Sequence, residues 1–182
     1  MADLYQAFAA LLTYPEKNYR QHIQSAQSLA PAECGELLAQ FAESIKGLQI
    51  WELEELFTRT FDMNPMCSLE LGWHLFGENY ERGLLLVRLR EELRRYEIPE
   101  STELPDHLTH VLKLLGRMDH AGAEDFAAAC VLPALSKMIA AIEGKGNPYQ
   151  PVLLAIQAFL RIEVPEIPLT AESQEPLLKV LA

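Results

Sequence analysis

Apolar residues recur at helical spacing along almost the whole of this 182-residue chain. Side chains three and four positions apart lie on one face of an α-helix, so this spacing predicts amphipathic helices rather than strands. The clearest stripes lie in residues 4–12, 34–45, 53–61, 86–96, 108–118, 126–142 and 152–160. We find no convincing alternation of apolar and polar residues with the period of a strand. The sequence therefore predicts an all-α fold, a helical bundle.

Prolines predict where several of these helices begin, end or bend. A helix that starts near Glu78 should stop before Pro99, and Pro105 suits the first turn of the next helix. Pro133 falls inside an apolar run, where its missing N–H should kink or divide the helix. We see no internal repeat and no low-complexity linker, which favours a single domain.

The domain boundaries follow from the same pattern. We predict one helical domain over residues 1–162 and a C-terminal tail over residues 163–182, because Pro165, Pro168 and Pro176 interrupt that last stretch. No apolar run is expected to approach the roughly 20 residues that span a bilayer. The N-terminus lacks the basic start of a signal peptide. We therefore expect a soluble cytoplasmic protein that does not insert into the membrane.

The charge of the chain limits its partners. With 26 acidic and 15 basic residues, the formal net charge is −11. Nucleic acid binding needs clustered Lys and Arg to displace phosphate counterions, so we exclude nucleic acid as a partner. A strongly acidic protein instead raises the local concentration of cationic partners.

Three cysteines, Cys34, Cys67 and Cys130, are odd in number, widely spaced and set among apolar neighbours. No pair forms the Cys-x-x-Cys spacing of metal or redox sites. We expect free, mostly buried thiols in a reducing compartment.

Motifs for catalysis and for metal binding are weak throughout. The chain has no Gly-x-Ser-x-Gly and no His-Glu-x-x-His, and residues 144–146 (GKG) lack the rest of a phosphate loop and suit a helix-ending turn. His107 and His110 share a helix face, with His120 further on, but no further ligand has a defined spacing. We expect no enzyme activity, no cofactor and no metal, and a helical metalloenzyme would need the paired Glu-x-x-His motifs of di-iron bundles.

Residues 103–108 (ELPDHL) allow two interpretations. As a helix start, Pro105 would lie in the first turn and Asp106 would complement the positive end of the helix dipole, which leaves His107 unexplained. Alternatively, Asp106 and His107 form a polar pair that can hold a backbone or a cationic group. Composition alone does not choose between them.

Residues 52–95 are also unusual, because Trp, Phe, Met and Leu alternate there with Gly and few charges. Such adaptable apolar surface suits either an ordinary corner of the core or a groove for an amphipathic partner helix.

Three blocks of this sequence resemble the TorD/NarJ family of redox-enzyme maturation chaperones, and within it the nitrate reductase branch. They are residues 53–62 (LEELFTRTFD), 74–83 (HLFGENYERG) and 103–108 (ELPDHL), in the order and separation of that family. The last block is the most specific, because the family carries a Pro-Asp-His element at the start of a central helix. The resemblance extends over nearly the whole chain up to about residue 162.

The resemblance implies an all-helical chaperone without enzyme activity. Such a protein binds the basic, amphipathic N-terminal segment of the apo catalytic subunit of a membrane-bound respiratory nitrate reductase and permits molybdenum cofactor insertion and complex assembly. Proteins of molybdenum cofactor biosynthesis are further partners on this reading. Other molybdoenzymes, of the dimethyl sulfoxide or selenate reductase type, or a purely structural role in assembly, remain alternatives.

Applied to these positions, the resemblance implies a peptide-binding site with an apolar part and a polar part. Asp106 and His107 would orient the peptide backbone or a basic residue, and His107 could make binding pH-dependent near neutrality. The residues predicted to form the site are Trp73, Leu75, Phe76, Tyr80, Glu103, Asp106, His107 and His110.

Overall fold

The computed structural model describes residues 2–163, which form α-helices joined by short turns, so the all-α prediction is confirmed. The α-helices are α1 (Ala2–Leu11), α2 (Tyr19–Leu29), α3 (Ala32–Ser44), α4 (Ile50–Phe57), α5 (Leu71–Phe76), α6 (Tyr80–Arg95), α7 (Leu108–Leu115), α8 (His120–Phe126), α9 (Leu132–Ile142) and α10 (Gln150–Glu163). The predicted tail lies, apart from its first residue, outside the described residues, and the division into domain and tail stays a prediction.

Helix α10 packs against two other helices of the bundle. It lies against α3 and α9, while α2 packs on α3 and α1 packs on both α2 and α7. Five aromatic side chains meet between these helices and the turn before α10, with ring centroids 4.8–6.4 Å apart: Tyr19, Phe41, Phe57, Phe61 and Tyr149. Large rings buried in edge-on and tilted contacts contribute heavily to a core of this kind.

Helix α2 was absent from the sequence prediction. Its buried residues are Tyr19, Ile23 and Ala26, roughly one per turn, and the rest of the helix is polar apart from the exposed Leu29. An apolar face this narrow falls below the stripe width by which amphipathic helices are found in sequence. Packing against α1 and α3 therefore determines that residues 19–29 are helical.

Two π turns interrupt the helical ladder, at Thr58–Asp62 and at Ala127–Val131. The second lies directly before α9, where Pro133 occupies the first turn. The Leu132 N–H donates to the Ala127 carbonyl, five residues back, so the ladder is already displaced where proline would have left a gap. The helical run therefore continues past Pro133, and a π turn directly ahead of the proline stands where a division of the helix was one of the predicted outcomes.

Through that π turn, α8 and α9 form one continuous helical run, His120–Ile142, of 23 residues. Its most apolar window has a mean hydropathy of 1.6, so the prediction that no apolar stretch approaches membrane-spanning length was wrong. Length and hydropathy do not separate a membrane span from a core helix, and half of that window is buried inside the bundle.

The three cysteines are free and buried, as predicted. Burial raises the pKa of the Cys67 and Cys130 thiols to about 12, and it also raises the pKa of Cys34. These thiols are therefore protonated at neutral pH and unreactive, because the thiolate is the nucleophile.

Candidate functional site

The third sequence block, residues 103–108, crosses the start of α5. The Leu71 N–H donates to the Asp106 carbonyl at 2.9 Å, and the Leu108 N–H donates to the Leu69 carbonyl at 2.8 Å. Glu70 and His107 are thereby paired in an isolated antiparallel bridge. Backbone bonds thus fix the relative position of two segments that lie far apart in sequence.

This pairing changes the interpretation of the helix start. Helix α7 begins at Leu108 with His107 as its N-cap, so Pro105 lies in the preceding turn and not in the first turn as predicted. Asp106 also does not serve the helix dipole, because its side chain turns inward and is 0% exposed. The sequence pattern identified a helix start correctly but placed it about one turn too early.

Asp106 is the buried polar centre of the site. Its Oδ2 accepts a hydrogen bond from the Gly72 N–H at 2.9 Å and lies 3.6 Å from the Arg82 Nε. The Arg82 Nη2 in turn donates to the Glu70 Oε2 at 2.7 Å. Burial raises the pKa of Asp106, while the Arg82 guanidinium and the Gly72 N–H act in the opposite direction.

The sequence reasoning missed Gly72, which makes this arrangement possible. A Cβ at this position would lie 2.8 Å from the Asp106 Oδ2 and 3.0 Å from the Arg82 Cγ. Real Cβ atoms do not approach so closely, so a side chain here would push the carboxylate away from the Gly72 N–H. A glycine inside the apolar helix 71–76 was the available signal, because an interior glycine costs helix stability unless close packing requires it.

His107 is held in the neutral form. Its Nδ1 accepts from the Thr109 N–H at 3.4 Å and lies 2.8 Å from the Thr109 Oγ1, which places the ring proton on Nε2, 3.9 Å from the Glu103 Oε2. Burial, with help from His110 and Lys113, lowers the pKa of His107 to about 4. The contact with Glu103 is therefore not an ion pair at neutral pH, and this lowered pKa places the titration of His107 in the free protein below neutrality.

His110, in the first turn of α7, connects that helix to the preceding turn and is only 2% exposed. Its Nδ1 lies 2.9 Å from the Leu104 carbonyl, which can only accept, so Nδ1 carries the proton. Its Nε2 is 3.1 Å from the Ser101 Oγ. Within residues 2–163, no three His, Cys, Asp or Glu side chains are grouped so that they could hold a metal ion.

Trp73 and Phe76, three residues apart, share one side of α5, Leu75 lies on a different side of that helix, and Tyr80 begins α6. The Trp73 indole N–H donates to the Pro65 carbonyl at 2.9 Å, and the Arg82 guanidinium lies 5.8 Å from the centre of that ring. Leu75 and Phe76 are partly buried against the core, whereas Tyr80 is 78% exposed. Exposed Met63 and Met66 flank the same corner.

Tyr80, Met63 and Met66 leave apolar surface exposed at this corner. Cavities of about 370 and 460 Å³ lie elsewhere, one between α3 and α10 and the other between the start of α1 and the end of α7. Neither is lined by a residue of the predicted site. Of the predicted residues, Glu103 and Tyr80 are exposed, whereas Asp106 and His110 are buried.

The protein is all-helical and holds the buried carboxylate of Asp106 near an exposed apolar corner. Residues 27–155 match the family model described as nitrate reductase delta subunit, and the chain belongs to that family. The match includes all three sequence blocks.

Two relatives bear more specific names. The chain is 26% identical over 146 residues to the nitrate reductase molybdenum cofactor assembly chaperone NarJ of Escherichia coli strain K12, which covers 76% of this chain and 61% of that protein. It is 26% identical over 114 residues to a probable chaperone of the same name from Bacillus subtilis strain 168, covering 60% of this chain and 62% of the relative. The chain therefore spans about three fifths of the length of the curated relatives it matches.

Proposed function

We propose that this protein is a private chaperone for a membrane-bound respiratory nitrate reductase. It binds the N-terminal segment of the apo catalytic subunit, keeps that subunit open for molybdenum cofactor insertion and then permits assembly of the complex. The observation that carries the proposal is the family match over residues 27–155, supported by two relatives that are named as cofactor assembly chaperones.

The geometry of the site supports a peptide ligand. Tyr80, Trp73 and the partly buried Leu75 and Phe76 offer apolar area to the apolar face of an amphipathic helix. Apolar burial provides most of the affinity in such contacts, at about 25 cal/mol per Å² before ordering costs.

The polar residues divide into two roles on this proposal. Glu103 is exposed and can pair with a basic residue of the client, while His107 lies at the surface edge of the segment. Asp106 and His110 are buried and act as positioning residues, because they hold residues 103–108 against α5 without reaching a ligand themselves.

The proposed activity involves binding and not catalysis. The chaperone works in the cytoplasm, holds no cofactor of its own and meets the proteins of molybdenum cofactor biosynthesis through its client. Its acidic charge favours a basic client segment.

The decisive experiment is deletion of this protein from cells that grow by nitrate respiration. We expect the catalytic subunit to accumulate with little molybdenum and little activity, and a pull-down with the tagged chaperone to recover that subunit in its apo form. A Tyr80→Ala variant should restore molybdenum content poorly. A normal cofactor content in the deletion strain would contradict the proposal.

The same experiment separates the alternatives. Recovery of a dimethyl sulfoxide or selenate reductase subunit would reassign the client. A nitrate reductase subunit that carries full molybdenum but fails to join its complex would indicate a purely structural assembly factor.

A further inference from the structure

Glu70 presents a carboxylate at the edge of the site, outside the set of residues predicted from sequence. It is the N-cap of α5, and the backbone bonds of its neighbours Leu69 and Leu71 to residues 106–108 hold it on both sides. Its side chain is 36% exposed. Glu70 therefore offers a negative charge at a fixed position, and its partner Arg82 lies 5.8 Å from the centre of the Trp73 ring.

Arg82 lies between Glu70 and Asp106 but is fully paired with only one of them. Its Nη2 is 2.7 Å from the Glu70 Oε2, whereas its Nε is 3.6 Å from the Asp106 Oδ2, beyond hydrogen-bond distance. Among the residues that the structure describes, the Arg82 Nε and the Asp106 Oδ1 are buried atoms without a hydrogen-bond partner.

The 3.6 Å distance ends at the Asp106 Oδ2, which already accepts from the Gly72 N–H, so the buried pair keeps one donor, the Arg82 Nε, and one acceptor, the Asp106 Oδ1, without partners. These two side chains therefore have a better-paired arrangement close at hand. An unpaired buried polar atom is costly, and more so when its group is charged. Guanidinium and carboxylate groups pair best through two parallel hydrogen bonds, which Arg82 and Asp106 would form after a small movement. The bond from Arg82 to Glu70 opposes that movement.

We propose that Glu70 receives a cationic side chain of the client segment, and that this exchange frees Arg82 to close onto Asp106. The inference rests on the proposed function and names a residue that selects basic clients. Glu70 exchanges one cation for another, so its own charge stays paired. Arg82 then pairs with the Asp106 carboxylate. This ion pair holds α6 more firmly to residues 103–108 once the client is bound.

Peptide titration tests the role of Glu70. The probes are the N-terminal segment of the nitrate reductase catalytic subunit and a copy in which every Arg and Lys is replaced by Gln. We expect Glu70→Gln to weaken binding of the basic peptide about tenfold and to leave the neutral copy unchanged. Glu70→Asp, which keeps the charge, should retain part of the affinity. Glu81→Gln is the matched control, because Glu81 is an exposed carboxylate of α6 and the ion pairs of Arg82 are with Glu70 and Asp106.

Nitrogen-15 NMR of the arginine side chains tests the exchange itself. We expect the Arg82 Nε–H resonance to shift and to become protected from hydrogen exchange when the basic peptide binds to the wild-type protein. The free Glu70→Gln variant should show the same shift, because there Arg82 closes onto Asp106 without a ligand.

The outcomes distinguish failure of the proposed function from failure of the inference about Glu70. If the wild-type protein binds neither peptide, the proposed function fails and takes the inference with it. If the wild-type protein binds the basic peptide but Glu70→Gln binds it equally well, or loses both peptides alike, the inference alone fails. An Arg82 resonance that does not move on binding would also overturn it.

Discussion

Among single residues, Gly72 leaves the least room for substitution. Its N–H reaches the Asp106 carboxylate only because no side chain stands between them, and its missing Cβ also admits the stem of Arg82. One glycine therefore joins α5, α6 and the turn before α7. Gly72 matters because it has no Cβ, and patterns of charge or hydropathy in the sequence do not show where a Cβ would clash.

Gly72→Ala should lower the free energy of unfolding by roughly 1–3 kcal/mol, because the new methyl group overlaps the Asp106 Oδ2 and the Arg82 Cγ. Gly83→Ala is the matched control, since a Cβ there meets nothing within 4 Å on an exposed position of α6. The control should gain up to about 1 kcal/mol from helix propensity. Urea denaturation of both variants measures the contrast, and equal effects would contradict the packing argument.

His107 should make folding sensitive to acid. Its pKa is about 4 in the folded protein, below the value of the unfolded chain, so the unfolded chain binds more protons between these two values. Stability is therefore full above pH 6.5 and falls as the pH drops towards 4, by up to roughly 3 kcal/mol. His107→Asn keeps an N-cap acceptor and should flatten this fall.

The measurement is urea denaturation across that pH range. Part of the fall should remain in the variant, because burial also lowers the pKa of His74. His120→Asn, at a histidine whose side chain is 71% exposed, controls for the loss of an imidazole. An acid limb that is identical in wild type and in His107→Asn would refute the assignment.

At the scale of elements, two tyrosines link α1, α2 and α10. The Tyr19 hydroxyl lies 2.6 Å from the Leu11 carbonyl and 3.1 Å from the Tyr149 hydroxyl. A carbonyl only accepts, so Tyr19 gives its single proton to Leu11, at the end of α1, and receives the proton of Tyr149. Tyr19 thus caps a carbonyl that the helix leaves unpaired.

The two tyrosines should differ in their cost of substitution. Tyr19→Phe removes the partner of both Leu11 and Tyr149 and should cost roughly 1–3 kcal/mol. Tyr149→Phe leaves the Tyr19 bond to Leu11 intact and should cost about 1 kcal/mol or less. Thermal or urea denaturation ranks them, and a reversed order would show that the proton direction is wrong.

Helices with a wide apolar stripe could be predicted from the sequence, and those decided by tertiary packing could not. The stripes of α3, α6 and α10 are visible in sequence, whereas α2 buries only Tyr19, Ile23 and Ala26. The site divides in the same way. The Pro-Asp-His element marked a segment that the structure builds around a buried carboxylate, but the pairing of Asp106 with Gly72 and Arg82 depends on backbone bonds between segments that no local pattern encodes.

At the scale of the whole molecule, the chain carries a formal net charge of −11, and Tyr80 leaves the apolar part of the candidate site open to solvent. Long-range attraction and short-range contact then contribute to different steps of binding. Charge acts on the diffusional encounter and is screened within about 8 Å at physiological ionic strength. Apolar burial and the proposed contact at Glu70 act once the peptide is seated.

The association rate of the basic client peptide should therefore fall steeply with salt, by roughly tenfold or more between low and high ionic strength, while its dissociation rate changes little. Stopped-flow tryptophan fluorescence in a Trp51→Phe background can follow both rates, because the remaining ring, Trp73, lies at the candidate site. The peptide with Gln in place of Arg and Lys should associate slowly at every salt concentration. A salt dependence carried mainly by the dissociation rate would mean that charge acts in the bound complex and not on the approach, and the acidic surface would then have no steering role.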